Sequence, residues 1–190
     1  DDPDVIAGQG TIAFELVEAR PDIATILVPL SGGGLAAGIA FAAKLLKPGI
    51  RVIGISMDRG AAMHASLQAG RPVEVEEVPS LADSLGGGIG LANAHTLALC
   101  RDNLDATVLL TEDEIRLGMQ ALYFEDRLVT EGAAAVGAAA LLSGKVGPDD
   151  GPAALIVPGR NVDMAAFAEI VAGRDVRLGD ITLKGRAYAA

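Results

Sequence analysis

Ser31-Gly32-Gly33-Gly34 stands between a short apolar run, Thr25-Ile26-Leu27-Val28-Pro29, and a longer apolar stretch from Leu35 to Leu46. The first, β-branched and brief, predicts a strand. The second is apolar on every side and predicts a buried helix, so the glycines occupy the turn at a helix start. Successive backbone N–H groups converge on an anion at such a turn, and the positive end of the helix dipole adds to the attraction. Glycine suits that chemistry because a Cβ would hold the backbone away from phosphate oxygens, and because the turn often needs φ > 0. The Ser31 hydroxyl offers one further donor. A tight turn whose glycines answer only to sterics would read the same way, and the tetrad alone does not separate the two. Its spacing does narrow the guest. The pattern is not G-x-G-x-x-G, and the next strand, Arg51 to Ser56, ends in serine rather than an acid, which disfavours a dinucleotide site. G-x-x-x-x-G-K-[ST] is absent too, so a single phosphate on a small cofactor remains.

Other reactive residue types carry less. His95 falls in a segment, Leu91 to Asp102, that predicts a helix with Leu91 and Leu99 as its i±4 neighbours, the setting of a packed histidine rather than a catalytic one. His64 follows Met63 near a loop. Cys100, the only cysteine, cannot form an internal disulfide and reads as a small buried hydrophobe, and two histidines with one cysteine leave little for a metal site. Glu74, Glu76 and Glu77 alternate with Val73, Val75 and Val78, which predicts an exposed, solvated strand rather than a metal site.

Stepwise along the chain, Lys47-Pro48-Gly49 stops the first helix and Arg51 to Ser56 resumes as a strand. The unit is strand, helix, strand with a parallel crossover. Further elements are expected as helices near Ala61 to Ala69 and Leu91 to Asp102, a strand at Ala106 to Leu110, helices over 112–129, 132–143 and 163–172, and a strand at Ala153 to Val157. Thr111-Glu112-Asp113-Glu114 matches the S/T-x-x-E capping box at the head of the first of those three helices. The fold class is therefore α/β, an open and mostly parallel sheet flanked by helices. Residues 1–172 form the one domain, and residues 173–190, where glycine and charge break the periodicity, read as a poorly packed tail.

With 190 residues, 51% of them hydrophobic, one substantial core is expected. A net charge of −10 opposes binding to phosphate backbones, and two Tyr, four Phe and no Trp leave few rings for base stacking, so nucleic acid is excluded as a partner. No run is long and apolar enough for a membrane helix, and Asp1-Asp2-Pro3-Asp4 lacks the basic and apolar regions of a secretory leader, so a cytoplasmic protein is expected.

Gly8-Gln9-Gly10-Thr11, VPLSGGGLAAGIA from Val28 to Ala40, LTEDEI from Leu110 to Ile115, Glu131-Gly132-Ala133-Ala134 and Gly159-Arg160-Asn161-Val162-Asp163 resemble, in that order, the second half of fold-type II pyridoxal-phosphate (PLP) enzymes. Threonine dehydratases and serine racemases are the group, and DDPDVIAGQGT, LADSLGGGIGLAN and ALYFEDRLVTEGAAAVG look most like hydroxyectoine-utilisation dehydratases. The resemblance covers about residues 1–172. It implies an incomplete large domain of the tryptophan synthase β-like fold, PLP as cofactor, and an ammonia-lyase acting on a hydroxylated amino acid or ectoine-derived substrate.

It further implies a phosphate cradle made by Ser31, Gly32, Gly33, Gly34 and Leu35, and a place near the cofactor for Glu131, whose bland alternative is a carboxylate serving a helix dipole. Asp83 and Ser84 match a loop passing the cofactor. Three departures qualify what is implied. The Schiff-base lysine of an S-F-K-x-R-type motif has no counterpart among Lys44, Lys47, Lys145 and Lys184, so no catalytic residue is assigned, and the missing N-terminal half or a partner chain must supply it. Pro158 stands where a serine hydroxyl is expected near the pyridine nitrogen. An acidic cation-binding pair maps onto Ser56 and Ala62, so no metal is expected. A homo-oligomer is expected from the resemblance, and an inactive remnant or regulatory module retaining the phosphate loop is the competing reading.

Overall fold

The computed structural model describes residues 1–147 and 151–189. Strands β1 (Thr25–Pro29), β2 (Arg51–Met57), β3 (Ala106–Leu110) and β4 (Ala153–Leu155) form one parallel sheet in the order β3-β2-β1-β4. The central strand β1 is buried at every position and β2 at all but Arg51, as expected of parallel strands covered on both faces. Register runs from Thr25 opposite Arg51 to Pro29 opposite Ile55, and from Thr25 opposite Ala153 to Leu27 opposite Leu155.

On one face lie α1 (Pro3–Ala19), α2 (Gly34–Leu46), α3 (Ala62–Ala69) and α4 (Thr96–Asn103), sharing a core with Val28, Val52, Ile39 and Cys100. On the other lie α5 (Glu112–Phe124) and α6 (Gly132–Leu142), packed on Leu27, Ile53 and Ile55 through Ile115, Val136 and Ala139. Helix α6 is buried from Gly132 to Ala140, which is why its sequence is almost wholly Ala, Val and Leu. A third cluster joins α5 and α6 to α7 (Met164–Val171) through Met119, Phe167 and Ile170. Among the described residues no helix is long and apolar enough to cross a membrane.

Several sequence expectations shift. Helix α1 is the longest helix described, yet Gly8 and Gly10 hide it from a propensity reading. It is fixed by Asp2, whose Oδ1 accepts from Asp4 N at 2.9 Å and Val5 N at 3.0 Å, and by close approach to α2, where a Cβ on Gly38 would overlap the Ile6 carbonyl. Helix α4 begins at Thr96, so His95 precedes it, and Leu91 is 64% exposed rather than stacked beneath the histidine. Residues 73–78 form no strand and pair with none, and Val75 instead packs partly against the core. Helix α5 ends at Phe124, five residues short of the expected boundary, and Arg127 turns the chain with φ 61°.

The largest difference is residues 173–189. Strands β5 (Val176–Leu178) and β6 (Ile181–Leu183) form an antiparallel hairpin whose turn opens on Gly179 at φ 58°, and Val176 joins the third core cluster. The buried Arg116 donates to the Arg186 carbonyl at 3.0 Å, Gln120 Nε2 donates to the same oxygen at 2.8 Å, and Tyr188 stacks on Phe124. The segment packs because α5 offers it a buried guanidinium and amide, partners that no local periodicity reports.

Candidate functional site

A cleft of ≈ 280 Å³ opens at the carboxyl ends of β1 and β4, lined by Ser31, Gly32, Gly33, Gly34 and Leu35 on one side and by Ser84, Leu85, Glu131 and Pro158 on the other. The place follows from topology. Strand β1 is followed through α2 by β2 on one flank, while β4 lies on its other flank, and an open parallel sheet leaves a crevice at such a switch point. All six residues expected to hold the cofactor meet there.

The three glycines are not equivalent. Gly33 is the N-cap of α2 at φ 93°, and a Cβ on it would lie 2.6 Å from Met63 Cε and 3.0 Å from Thr96 Cβ, so the fold itself demands glycine at this position. Gly32 and Gly34 carry no such demand: an ideal Cβ on either meets no atom within 4 Å and neither has positive φ. Their Cβ positions are open space at the cleft. No side chain caps α2, so its first-turn N–H groups are left for a guest. The donors, the dipole and the two unexplained glycines together fit a phosphate group. Ser31 departs from expectation, since its Oγ donates to the Gly86 carbonyl at 3.4 Å and so ties the loop to the glycine-rich stretch.

Glu131 faces this loop from the head of α6. It is the N-cap residue, yet its side chain makes no capping bond; Oε1 instead lies 3.5 Å from Ser84 Oγ, and a Cβ on Gly159 would overlap the carboxylate. The carboxylate thus stands at the helix start without a hydrogen bond to the helix amides. The 80–85 segment reaches Glu131 because Glu112 Oε2 accepts from Leu81 N at 2.8 Å, Ser80 Oγ accepts from Ala82 N at 3.0 Å, and Gly132 leaves room for the Leu81 carbonyl. Leu85 and Ala133 line the cleft as well, and no sequence pattern singled out either as a site residue.

The four lysines are all engaged elsewhere. Lys44 Nζ contacts Asp105 and the Ile50 carbonyl, Lys47 the Pro21 and Ile23 carbonyls, Lys145 Glu114 and the Leu109 carbonyl, and Lys184 Asp175. None lines the cleft. Pro158 does line it and offers neither hydroxyl nor N–H. His64 pairs through Nδ1 with Thr107 Oγ1 at 2.8 Å, away from the cleft. Burial pushes the Cys100 thiol up to about 12, so it stays protonated at neutral pH and is poorly suited as a nucleophile. Among the described residues no three His, Cys, Asp or Glu side chains come together in a metal-binding group.

An open parallel α/β sheet with an anion-receptive helix start at its switch point defines a class of phosphate-binding folds, and comparison with known proteins resolves which. Residues 1–159 match the model of the pyridoxal-phosphate dependent enzyme family, and the chain belongs to that family. It is 56% identical over 173 residues to "Putative threonine dehydratase" of Sinorhizobium fredii, covering 91% of this chain and 52% of that protein. It is 41% identical over 172 residues to the catabolic L-threonine dehydratase of Escherichia coli, covering 90% and 52%. Among solved structures, the processed threonine deaminase isoform 2 of Solanum lycopersicum superposes with a TM-score of 0.80 at 32% identity, covering 90% of this chain and 50% of that one. Maize serine racemase gives 0.78 at 32%, covering 86% and 50%. The chain thus spans about half the length of the curated relatives it matches.

Proposed function

We propose that this chain is the phosphate-holding part of a PLP-dependent ammonia-lyase that converts a small hydroxylated amino acid to a 2-oxo acid and ammonia, with the lysine supplied by polypeptide outside these 190 residues. The observation that carries the reading is the pair Gly32 and Gly34, whose missing side chains serve no packing need and open the uncapped start of α2 to the cleft. The amides of Gly32 to Leu35 would hold the phosphate, and the α2 dipole would offset its charge. PLP, when bound, supplies an electron-withdrawing ring that stabilises negative charge at the substrate α-carbon. Glu131 and Ser84 form the opposite wall, where the carboxylate accepts a hydrogen bond from Ser84 and would hold the 80–85 loop beside a bound cofactor. The narrower, ectoine-derived substrate class rests on the DDPDVIAGQGT, LADSLGGGIGLAN and ALYFEDRLVTEGAAAVG stretches.

Two measurements test this. In equilibrium dialysis the chain binds PLP at least tenfold more tightly than pyridoxal, and borohydride leaves no covalent adduct, because no lysine reaches the cleft. Equal affinity for the two ligands refutes the phosphate assignment, and a reduced adduct on one of the four lysines refutes the need for outside polypeptide. Pro158 favours a competing reading, a remnant that keeps the loop without the chemistry. Coexpression with the N-terminal half of a threonine dehydratase decides between them: ammonia release from threonine or a hydroxylated analogue supports the lyase, and a folded, PLP-loaded complex without release supports the remnant.

A further inference from the structure

The glycine loop leans on a wall that is tied to Asp1. The carboxylate of Asp1 accepts from three consecutive amides at the start of α4: Ala94 N at 2.6 Å, His95 N at 3.1 Å and Thr96 N at 2.7 Å. It takes up amides that His95, the N-cap residue, leaves without a capping bond. Asn93 completes the bracket, donating from Nδ2 to Thr96 Oγ1 at 2.7 Å and accepting through Oδ1 from Leu97 N at 3.0 Å. Thr96 and Cys100, one turn apart and both fully buried, then face Gly33. A Cβ on Gly33 would stand 3.0 Å from Thr96 Cβ and 3.2 Å from Cys100 Sγ, and Sγ lies 3.8 Å from the Gly33 carbonyl oxygen.

We infer that Asp1 is a positioning residue for the PLP phosphate, acting through the capped start of α4 on the backbone of Gly33. The inference rests on the reading that the phosphate sits at the start of α2. The physical link is close packing. Gly33 holds a left-handed conformation against atoms that cannot yield without opening a void, so the direction of the Gly33, Gly34 and Leu35 amides follows the position of Thr96. Removing the carboxylate frees three donors and loosens α4 at its first turn, which is where Thr96 sits. Asp1 touches no part of the cleft, and α4 contributes no side chain to its lining.

Asp1→Ala and Asp1→Asn test this in the full chain, alongside Cys100→Ala, which hollows the wall directly behind Gly33. For D1A, PLP affinity falls about five-fold, the scale of a lost helix cap, while pyridoxal affinity changes less than two-fold. D1N, which keeps one acceptor oxygen, recovers part of the loss, and C100A reproduces the fall in the PLP-to-pyridoxal ratio. In the unliganded chain, heteronuclear NOEs of the Gly32 to Gly34 amides drop in D1A. A ratio and loop NOEs at wild-type values in D1A, with α4 itself loosened, overturn the inference, and so does an unchanged ratio in folded C100A. If the wild-type chain shows no preference for PLP, the phosphate reading fails, and the NOEs still decide whether Asp1 holds the loop.

Discussion

Helices α2 and α5 begin in opposite ways. The start of α5 is closed by the protein: Thr111 Oγ1 accepts from Glu114 N at 3.3 Å, Glu114 Oε2 accepts from Thr111 N at 2.7 Å, and Lys145 pairs with the same oxygen at 2.7 Å. The start of α2 has no side-chain cap and no acid in its first turn. Both face the dipole and the orphan amides that every helix start presents. At α5 two side chains, Thr111 and Glu114, accept from those amides and Lys145 holds the second of them, whereas at α2 the chain removes side chains and leaves the donors for a ligand.

The sharpest way to break the contrast is to put a side chain where the fold forbids one. Gly33→Val sets a β-branched residue at φ 93° against Met63 and Thr96, and should destabilise the chain by about 2–4 kcal/mol in urea unfolding. A cost below ~1 kcal/mol would mean that Gly33 is not held as described. Gly34→Ala is the counterpart. Its Cβ meets nothing in the protein, so stability holds or rises by about 0.5 kcal/mol from helix propensity, while PLP binding should weaken about tenfold on the proposed reading, because the Cβ would occupy the open space left at the helix start. Opposite signs for stability and binding at one residue would separate a ligand-serving glycine from a steric one; loss of stability without loss of binding would erase the distinction.

At α5 the expected order reverses. Thr111→Ala removes the cap and costs about 1 kcal/mol of stability, read by thermal unfolding, with no change in PLP affinity. The smallest effect is in pH. Burial alone would raise the Glu114 carboxyl, but hydrogen bonds from Lys145 and Thr111 outweigh it and hold the group below its ordinary range. A depressed acid contributes stability that is full above its unfolded value, about 4.3, and lost as pH falls through the lower folded value. Wild type should thus lose about 0.5 kcal/mol more than Glu114→Gln on acidification below pH 4.3, seen as converging unfolding midpoints. Parallel curves would show that the ion pair adds nothing.

The legibility of the two helix starts differs for the same reason. The capping box at Thr111 to Glu114 is local, four residues whose partners are one another, and the sequence displays it outright. The glycine tetrad is local as well, so Ser31 to Leu35 could be placed at a helix start and given an anion. Glu131 and Ser84 could be joined to it only by resemblance, because they arrive from α6 and from a loop held by Glu112, 31 residues beyond Leu81. The cap on α4 was invisible, since its carboxylate comes from Asp1. Helix α1 was missed because its stability lies in a glycine-mediated contact with α2 rather than in an amphipathic period.

By itself the sequence determined the parallel α/β class, the buried character of α2 and α6, and the glycine turn at the start of α2. These rest on composition and on patterns within a few residues, where hydrophobic period and hydrogen-bonding capacity act directly. Only the tertiary structure decided that Gly33 answers to Met63, Thr96 and Cys100 while Gly32 and Gly34 answer to nothing in the protein, and that residues 176–183 fold back as a hairpin near the buried Arg116. Those outcomes depend on contacts between residues 30 to 70 positions apart, formed only once the sheet has brought its flanking helices together.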